Sequence, residues 1–140
     1  MSRCILLVED DRVLRSSLLE ALSVEGYELK AAASLADARA QLRHAQTGEA
    51  IDLIVLDLGL PDGDGQSLLA ELRRNSNTPV IVISARQAEG QKIQLLDQGA
   101  DDYLVKPFGI GELLVAVVVG AGLTGLVTAV LLARGGKRVV

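Results

Sequence analysis

The sequence predicts an α/β fold: a doubly wound parallel sheet with helices on both faces. Three observations carry this. Short apolar runs alternate with stretches of helical periodicity, giving five β-then-α units in the first 114 residues. Arg3–Val8, Ile51–Leu56 and Val80–Ile83 are close to uniformly apolar, as strands buried on both faces are, so they belong at the centre. Acids, a hydroxyl and a lysine follow the strands, at the carboxyl edge where such sheets keep their chemistry.

Each element can be justified in order. After the first strand, Val13, Leu14, Leu18, Ala21 and Leu22 recur at helical spacing, and Gly26 stands where a C′ glycine ends a helix. Tyr27–Ala33 is the second strand. Ser34 caps a second helix with Asp37 completing a short-armed capping box, and Leu35, Ala38 and Leu42 turn inward. Ile51–Leu56 is the third strand. A turn-rich loop, Gly59–Gly65, leads into a helix over 66–74 with Leu68, Leu69 and Leu72 inward. Pro79 opens the fourth strand, a helix around Ala88–Gln98 ends at Gly99, and Asp102–Val105 is the fifth strand.

Composition narrows the function. The chain has 140 residues, 49% of them hydrophobic, which excludes disorder. Aromatics are 2% with no Trp, too few for a platform that stacks single-stranded bases, and a net charge of −4 repels a phosphate backbone. Direct nucleic-acid binding is therefore not expected. Cys4, the one cysteine, has no partner for an internal disulfide and reads as a small core residue; Cys4 with His44 is too few ligands for a structural zinc. The N-terminus lacks a signal peptide's apolar region and cleavage site, so a cytoplasmic protein is expected.

The strand ends form a coherent set. The first strand runs into Glu9-Asp10-Asp11, the third into Asp57, the fourth into Ser84 and the fifth into Lys106-Pro107. Carboxylates brought within about 4–5 Å repel by roughly 3–4 kcal/mol per pair at an effective dielectric near 20, so something positive must offset them. Lys106 is one candidate. A hard divalent cation bound through oxygen is the other, and Mg²⁺ suits a site with few protein ligands. A carboxylate beside Mg²⁺, a lysine and a hydroxyl suits phosphoryl transfer onto the carboxylate. Any one of these acids alone is better read as an ordinary turn residue; suitable groups at all four strand ends are not. Asp62 and Asp64 read as turn residues, and Asp11 reads equally as a pocket acid or a helix N-terminal residue. Arg73-Arg74 complement a helix C-terminus, and His44 is a solvated surface residue.

ILLVEDD at 5–11, VLDLGLPDGDG at 55–65, VIVISAR at 80–86 and GADDYLVKPFGIGELL at 99–114 resemble the receiver domains of bacterial two-component response regulators. The likeness covers residues 3–114 and is strongest to the OmpR/PhoB class, and within it to the potassium-transport (kdp operon) regulators. It implies a flavodoxin-like strand order, 2-1-3-4-5. Asp57 would be the phosphoacceptor. Glu9 and Asp10 would hold Mg²⁺, one of them through water, together with Asp57 and the backbone carbonyl of Gly59. Ser84 would hydrogen-bond the phosphoryl group, Lys106 would pair with it across a cis Lys106–Pro107 bond, and Tyr103 would turn inward as an aromatic switch when Ser84 moves. The donor would be a phosphohistidine on a sensor histidine kinase, and the domain would catalyse its own dephosphorylation.

The last 28 residues depart from that pattern. They hold no acid and five of the 14 glycines, where the family would continue with a charged amphipathic helix. Val115–Val119 as strand, Gly120, Gly122 and Gly125 as a phosphate-cradling turn, Leu126–Arg134 as helix and Lys137–Val140 as strand resemble the βαβ start of a FAD- or NAD-binding Rossmann domain. The expected organisation is thus a receiver over 1–114 and a Rossmann-like fragment over 115–140, a chimera. NAD or FAD binding is not expected, because the acid that would hold the ribose is missing and few residues separate the fifth strand from the new one. Leu113–Ala133 is 21 uncharged residues, long enough for a membrane span, though such an anchor on a receiver is not expected. A single helix is the poorest of the three readings, since interior glycines cost about 1 kcal/mol each. Apolar residues in this number suit self-association or a homodimer instead. The alternatives to a working receiver are a chimera with no selected activity and a dinucleotide-binding module on a receiver scaffold.

Overall fold

The computed structural model of the chain describes residues 3–45, 50–85 and 89–120. Strands form where the sequence can bury both faces: β1 (Cys4–Val8), β3 (Leu53–Asp57) and, further on, the Val80–Ser84 strand are buried at every position. Between β1 and β3 comes β2 (Glu28–Ala32). A short antiparallel ladder of β4 (Gly59–Leu60) and β5 (Gly63–Asp64) follows β3, and the last two strands are β6 (Val80–Ser84) and β7 (Asp102–Val105). The main sheet is parallel throughout, in the order β2-β1-β3-β6-β7. With the two-residue ladder set aside, that is the expected 2-1-3-4-5.

Side-chain alternation divides the core in two. Ile5, Leu7, Val55, Ile81 and Leu104 face α1 (Arg12–Val24) and α5 (Ile110–Gly120). Cys4, Leu6, Val8, Leu56, Val82 and Tyr103 face α2 (Leu35–Ala45), α3 (Gly65–Asn75) and α4 (Glu89–Asp97). Local signals start and stop the helices. Ser34 Oγ accepts the Asp37 N–H at 3.1 Å, and Asp37 reaches back to the Ala33 N–H at 3.3 Å, one residue beyond the N-cap N–H of the usual capping box. Gly26 ends α1 at φ +93.

Two expectations fail. Val13 is 77% exposed: the buried row of α1 is Leu14, Leu18 and Leu22 at i, i+4, i+8, and Val13 stands one residue off it. Val115–Val119 is helix, not strand. It continues α5 across the compositional break at residue 114, with Leu113, Ala116 and Val117 at helical spacing buried against Ile81, Ile83 and Leu104. Valine loses only a few tenths of a kcal/mol in a helix, whereas burying an apolar side chain gains about 1.5–3 kcal/mol. Packing therefore decides. Because a helix follows β7, the short connection through Pro107–Gly109 presents no crossover problem. The reading of a single helix here as the poorest is corrected as far as Gly120.

Gly120 is the last residue of the described helix rather than the start of a phosphate-binding turn. A Cβ on it would stand 2.8 Å from Leu53 Cδ1, so its bareness lets α5 close onto the sheet. Gly122, Gly125 and the helix and strand expected over 126–140 lie outside the described residues. Among the described residues no helix is long and apolar enough to cross a membrane. Replacing Gly120 by Leu should lower unfolding free energy by about 1–3 kcal/mol, the usual cost of overpacking. Val13→Ser should change it by less than about 0.5 kcal/mol, as exposed substitutions do. Chemical denaturation of the two variants checks both.

Candidate functional site

Parallel strands all end at one edge of the sheet, so residues far apart in sequence meet there. Val8 lies beside Leu56, Asp57 beside Ile83, and Ser84 beside Val105. Glu9, immediately after β1, is fully buried, Asp57 closes β3 at 3% exposure, and Ser84 closes β6 at 2%. Asp10 next to Glu9 is exposed. Glu9, Asp10 and Asp57 each offer a carboxylate oxygen, and the three lie within 4.8 Å of one another. Lys106, just past β7, brings its Nζ to 2.7 Å from Glu9 Oε1 and 3.2 Å from Asp57 Oδ2. Its bond to Pro107 is cis.

Backbone groups complete the frame. Asp57 Oδ1 accepts the Gly59 N–H at 3.1 Å, and Glu9 Oε2 accepts the Asp11 N–H at 3.1 Å. Arg15 on α1 donates to the carbonyls of Glu9 at 2.9 Å and Asp10 at 3.2 Å, fixing the turn that carries both acids.

The electrostatics follow from this crowding. Burial, reinforced by Asp57, pushes the Glu9 carboxyl up from 4.5 to about 7, although Lys106 and the Asp11 N–H pull it down. Burial works against the Lys106 ammonium, but its contact with Glu9 and the charge of Asp57 outweigh that and raise it. Lys106 pairs with two of the three clustered carboxylates, Glu9 and Asp57, and the bowl is short of positive charge. Hard oxygen donors with unneutralised charge fit Mg²⁺.

The family of the response regulator receiver domain matches residues 5–118. The chain belongs to that family. The match passes residue 114, so the break in composition falls inside the receiver, and a Rossmann segment beginning at 115 finds no support. The KDP operon transcriptional regulatory protein KdpE of Escherichia coli is 51% identical over 109 residues, 78% of this chain and 47% of that protein. The chain therefore spans about half the length of this curated relative. Among solved structures, the Francisella response regulator 1452 receiver domain superposes with a TM-score of 0.78 at 34% identity, covering 88% of this chain and 99% of that one. The CheX-CheY-BeF3-Mg²⁺ complex from Borrelia burgdorferi gives 0.77 at 27% identity, covering 84% and 87%. Receiver domains bind Mg²⁺ at an acidic site, and the Glu9, Asp10 and Asp57 cluster is such a site.

Within this receiver the structure brings Glu9, Asp10, Asp57 and Lys106 together in the bowl, the Gly59 N–H reaches Asp57, and Ser84 closes the neighbouring strand. Tyr103 is 4% exposed, its ring turned into the core. Asp11, open between two roles, is the N-cap of α1, accepting the Leu14 N–H at 3.0 Å. Asp64 caps α3 through the Gln66 N–H at 2.9 Å. Arg73 donates to the carbonyls of Ser76 and Thr78 just beyond α3, which extends its expected service to the helix end. Sequence reading missed Arg15; its place on the first turn after the acids was the available signal.

Because Glu9 holds its proton in the folded state at pH values where the unfolded chain has released it, its contribution to stability falls as pH rises from about 4.5 to 7. Without divalent metal, the loss should amount to roughly 1–3 kcal/mol. Glu9→Gln should remove this slope. Denaturation from pH 4 to 8 with chelator checks it, and equal slopes in both proteins would contradict the assignment.

Proposed function

We propose that Asp57 is the phosphoacceptor of this receiver and that a sensor histidine kinase supplies the phosphoryl group. One observation carries the reading: Asp57 ends a central strand with one oxygen held by the Gly59 N–H at 3.1 Å and the other 3.2 Å from the Lys106 ammonium. That arrangement fixes a carboxylate in one orientation beside a positive charge, as in-line attack on phosphorus requires. The Asp57 oxygen forms the new P–O bond while the P–N bond of the donor phosphohistidine breaks. The donor imidazole departs and takes up a proton from solvent.

Glu9, Asp10, Asp57 and the Gly59 carbonyl would hold Mg²⁺, one carboxylate acting through water. When bound, Mg²⁺ supplies the positive charge that offsets the transferring oxygens. Lys106 pairs with a phosphoryl oxygen, and the Ser84 hydroxyl donates to another. Tyr103, already inward, would be the aromatic switch coupled to movement of Ser84. The CheY of Borrelia burgdorferi solved with BeF3 and Mg²⁺ supports the same chemistry here.

The relatives point to the output. KdpE is a transcriptional regulatory protein, and we extend that role to this chain, with DNA contacts made by a different segment than this acidic receiver. Ile110, exposed at 41% on α5, and the half-buried Val118 and Val119 support self-association through that helix and the C-terminal segment. The reading implies a cytoplasmic location.

Incubation with Mg²⁺ and acetyl phosphate should add one phosphoryl group to the chain. Asp57→Asn and chelation should each abolish it, and Lys106→Ala should slow it roughly a hundredfold, as loss of one preorganised charge does. Intact-mass measurement reads all three. A phosphoryl group that persists in Asp57→Asn would overturn the assignment.

A further inference from the structure

We infer that Asp62 is a positioning residue for the metal-binding loop: its carboxylate ties the loop after Asp57 to the start of α2 and so fixes the Gly59 backbone. The inference rests on the reading that Gly59 and the three acids hold Mg²⁺.

Asp62 Oδ1 accepts the Leu35 N–H at 2.8 Å and Oδ2 accepts the Ala36 N–H at 3.0 Å. Both carboxylate oxygens are therefore spent on successive N–H groups of a helix 26 to 27 residues away in sequence. These donors belong to the first turn, where no intrahelical partner exists and negative charge is favoured. The two hydrogen bonds hold the Asp62 carboxyl below its ordinary range.

The helix does not need Asp62 in order to start. Ser34 already caps α2 through the Asp37 N–H. Nor is Asp62 held by burial, since it is exposed. Its contact acts on the loop. From Asp62 the chain runs through Gly63, whose φ of +152 and closeness to α2, where a Cβ would meet Leu35 Cδ1 at 2.8 Å, press the loop onto the helix. Gly63 pairs with Leu60, and Asp64 with Gly59, in the β4–β5 ladder. Gly59 in turn donates to Asp57. A shift at Asp62 is thus relayed to Gly59 across a ladder two residues long.

Calorimetric titration of the full chain with Mg²⁺ tests this without any phosphodonor. Asp62→Ala should weaken Mg²⁺ about tenfold, the usual cost of losing a partner that orients metal ligands. Asp62→Asn, whose one amide oxygen can accept from only one of the two N–H groups, should fall between Asp62→Ala and the unaltered chain. Ser34→Ala removes the other cap of the same helix without touching the loop; it should lower the melting temperature yet leave Mg²⁺ affinity within about twofold. If Asp62→Ala binds Mg²⁺ like the unaltered chain, or Ser34→Ala weakens it equally, the positioning role is overturned. If the unaltered chain binds no Mg²⁺, the reading of the site fails and takes this inference with it.

Discussion

The structure depends on a deliberate concentration of like charge. Glu9, Asp10 and Asp57 stand within 4.8 Å of one another with Lys106 beside them. Such a group does not assemble for stability, because its members repel and Glu9 is also stripped of water. It persists because the sheet leaves its residues no alternative. β1, β3 and β6 are buried at every position and locked in parallel register, so their carboxyl ends emerge side by side. The apolar core imposes the arrangement, and the acids at its edge carry the strain as a raised Glu9 pKa. A site short of positive charge is one that a cation, or a proton, stabilises on arrival.

The polar frame around the bowl serves the same end by other means. Asp11, Ser34, Asp62 and Asp64 all spend side-chain oxygens on N–H groups at helix starts. Arg15 ties down the carbonyls of Glu9 and Asp10. Each is a modest interaction, about 0.5–2 kcal/mol for a cap. Their collective effect is geometric: the turns that bear the acids cannot drift apart to relieve repulsion.

Most of this was legible in the chain itself. Strands buried on both faces announce themselves as unbroken apolar runs, so β1, β3 and β6 and the groups at their ends could be read directly. Several of the features that escaped share one cause, which is that tertiary contact overrules the local signal. Valines followed by spaced glycines are a strand and a turn by local pattern, but Leu113, Ala116 and Val117 find a bare patch of sheet at helical spacing. Gly120 then serves close packing against Leu53 rather than a turn. Val13 belonged to an apolar stripe by spacing yet faces solvent, because one residue's rotation separates it from the buried row. Asp62 looked like a turn residue because its partners, Leu35 and Ala36, lie far upstream.

The composition of α5 also bears on how the two faces of the sheet differ. On the face covered by α2, α3 and α4, the Arg39–Glu71 pair sits over the apolar layer, while Ile93 and Leu96 of α4 are exposed. On the other face, α5 carries one acid, Glu112, in its first turn and no basic residue in its last. Half-buried Leu114, Val118 and Val119 follow, where a solvated helix would place polar side chains. The acids thus gather at the carboxyl edge of the strands, while the apolar excess lies on the last helix.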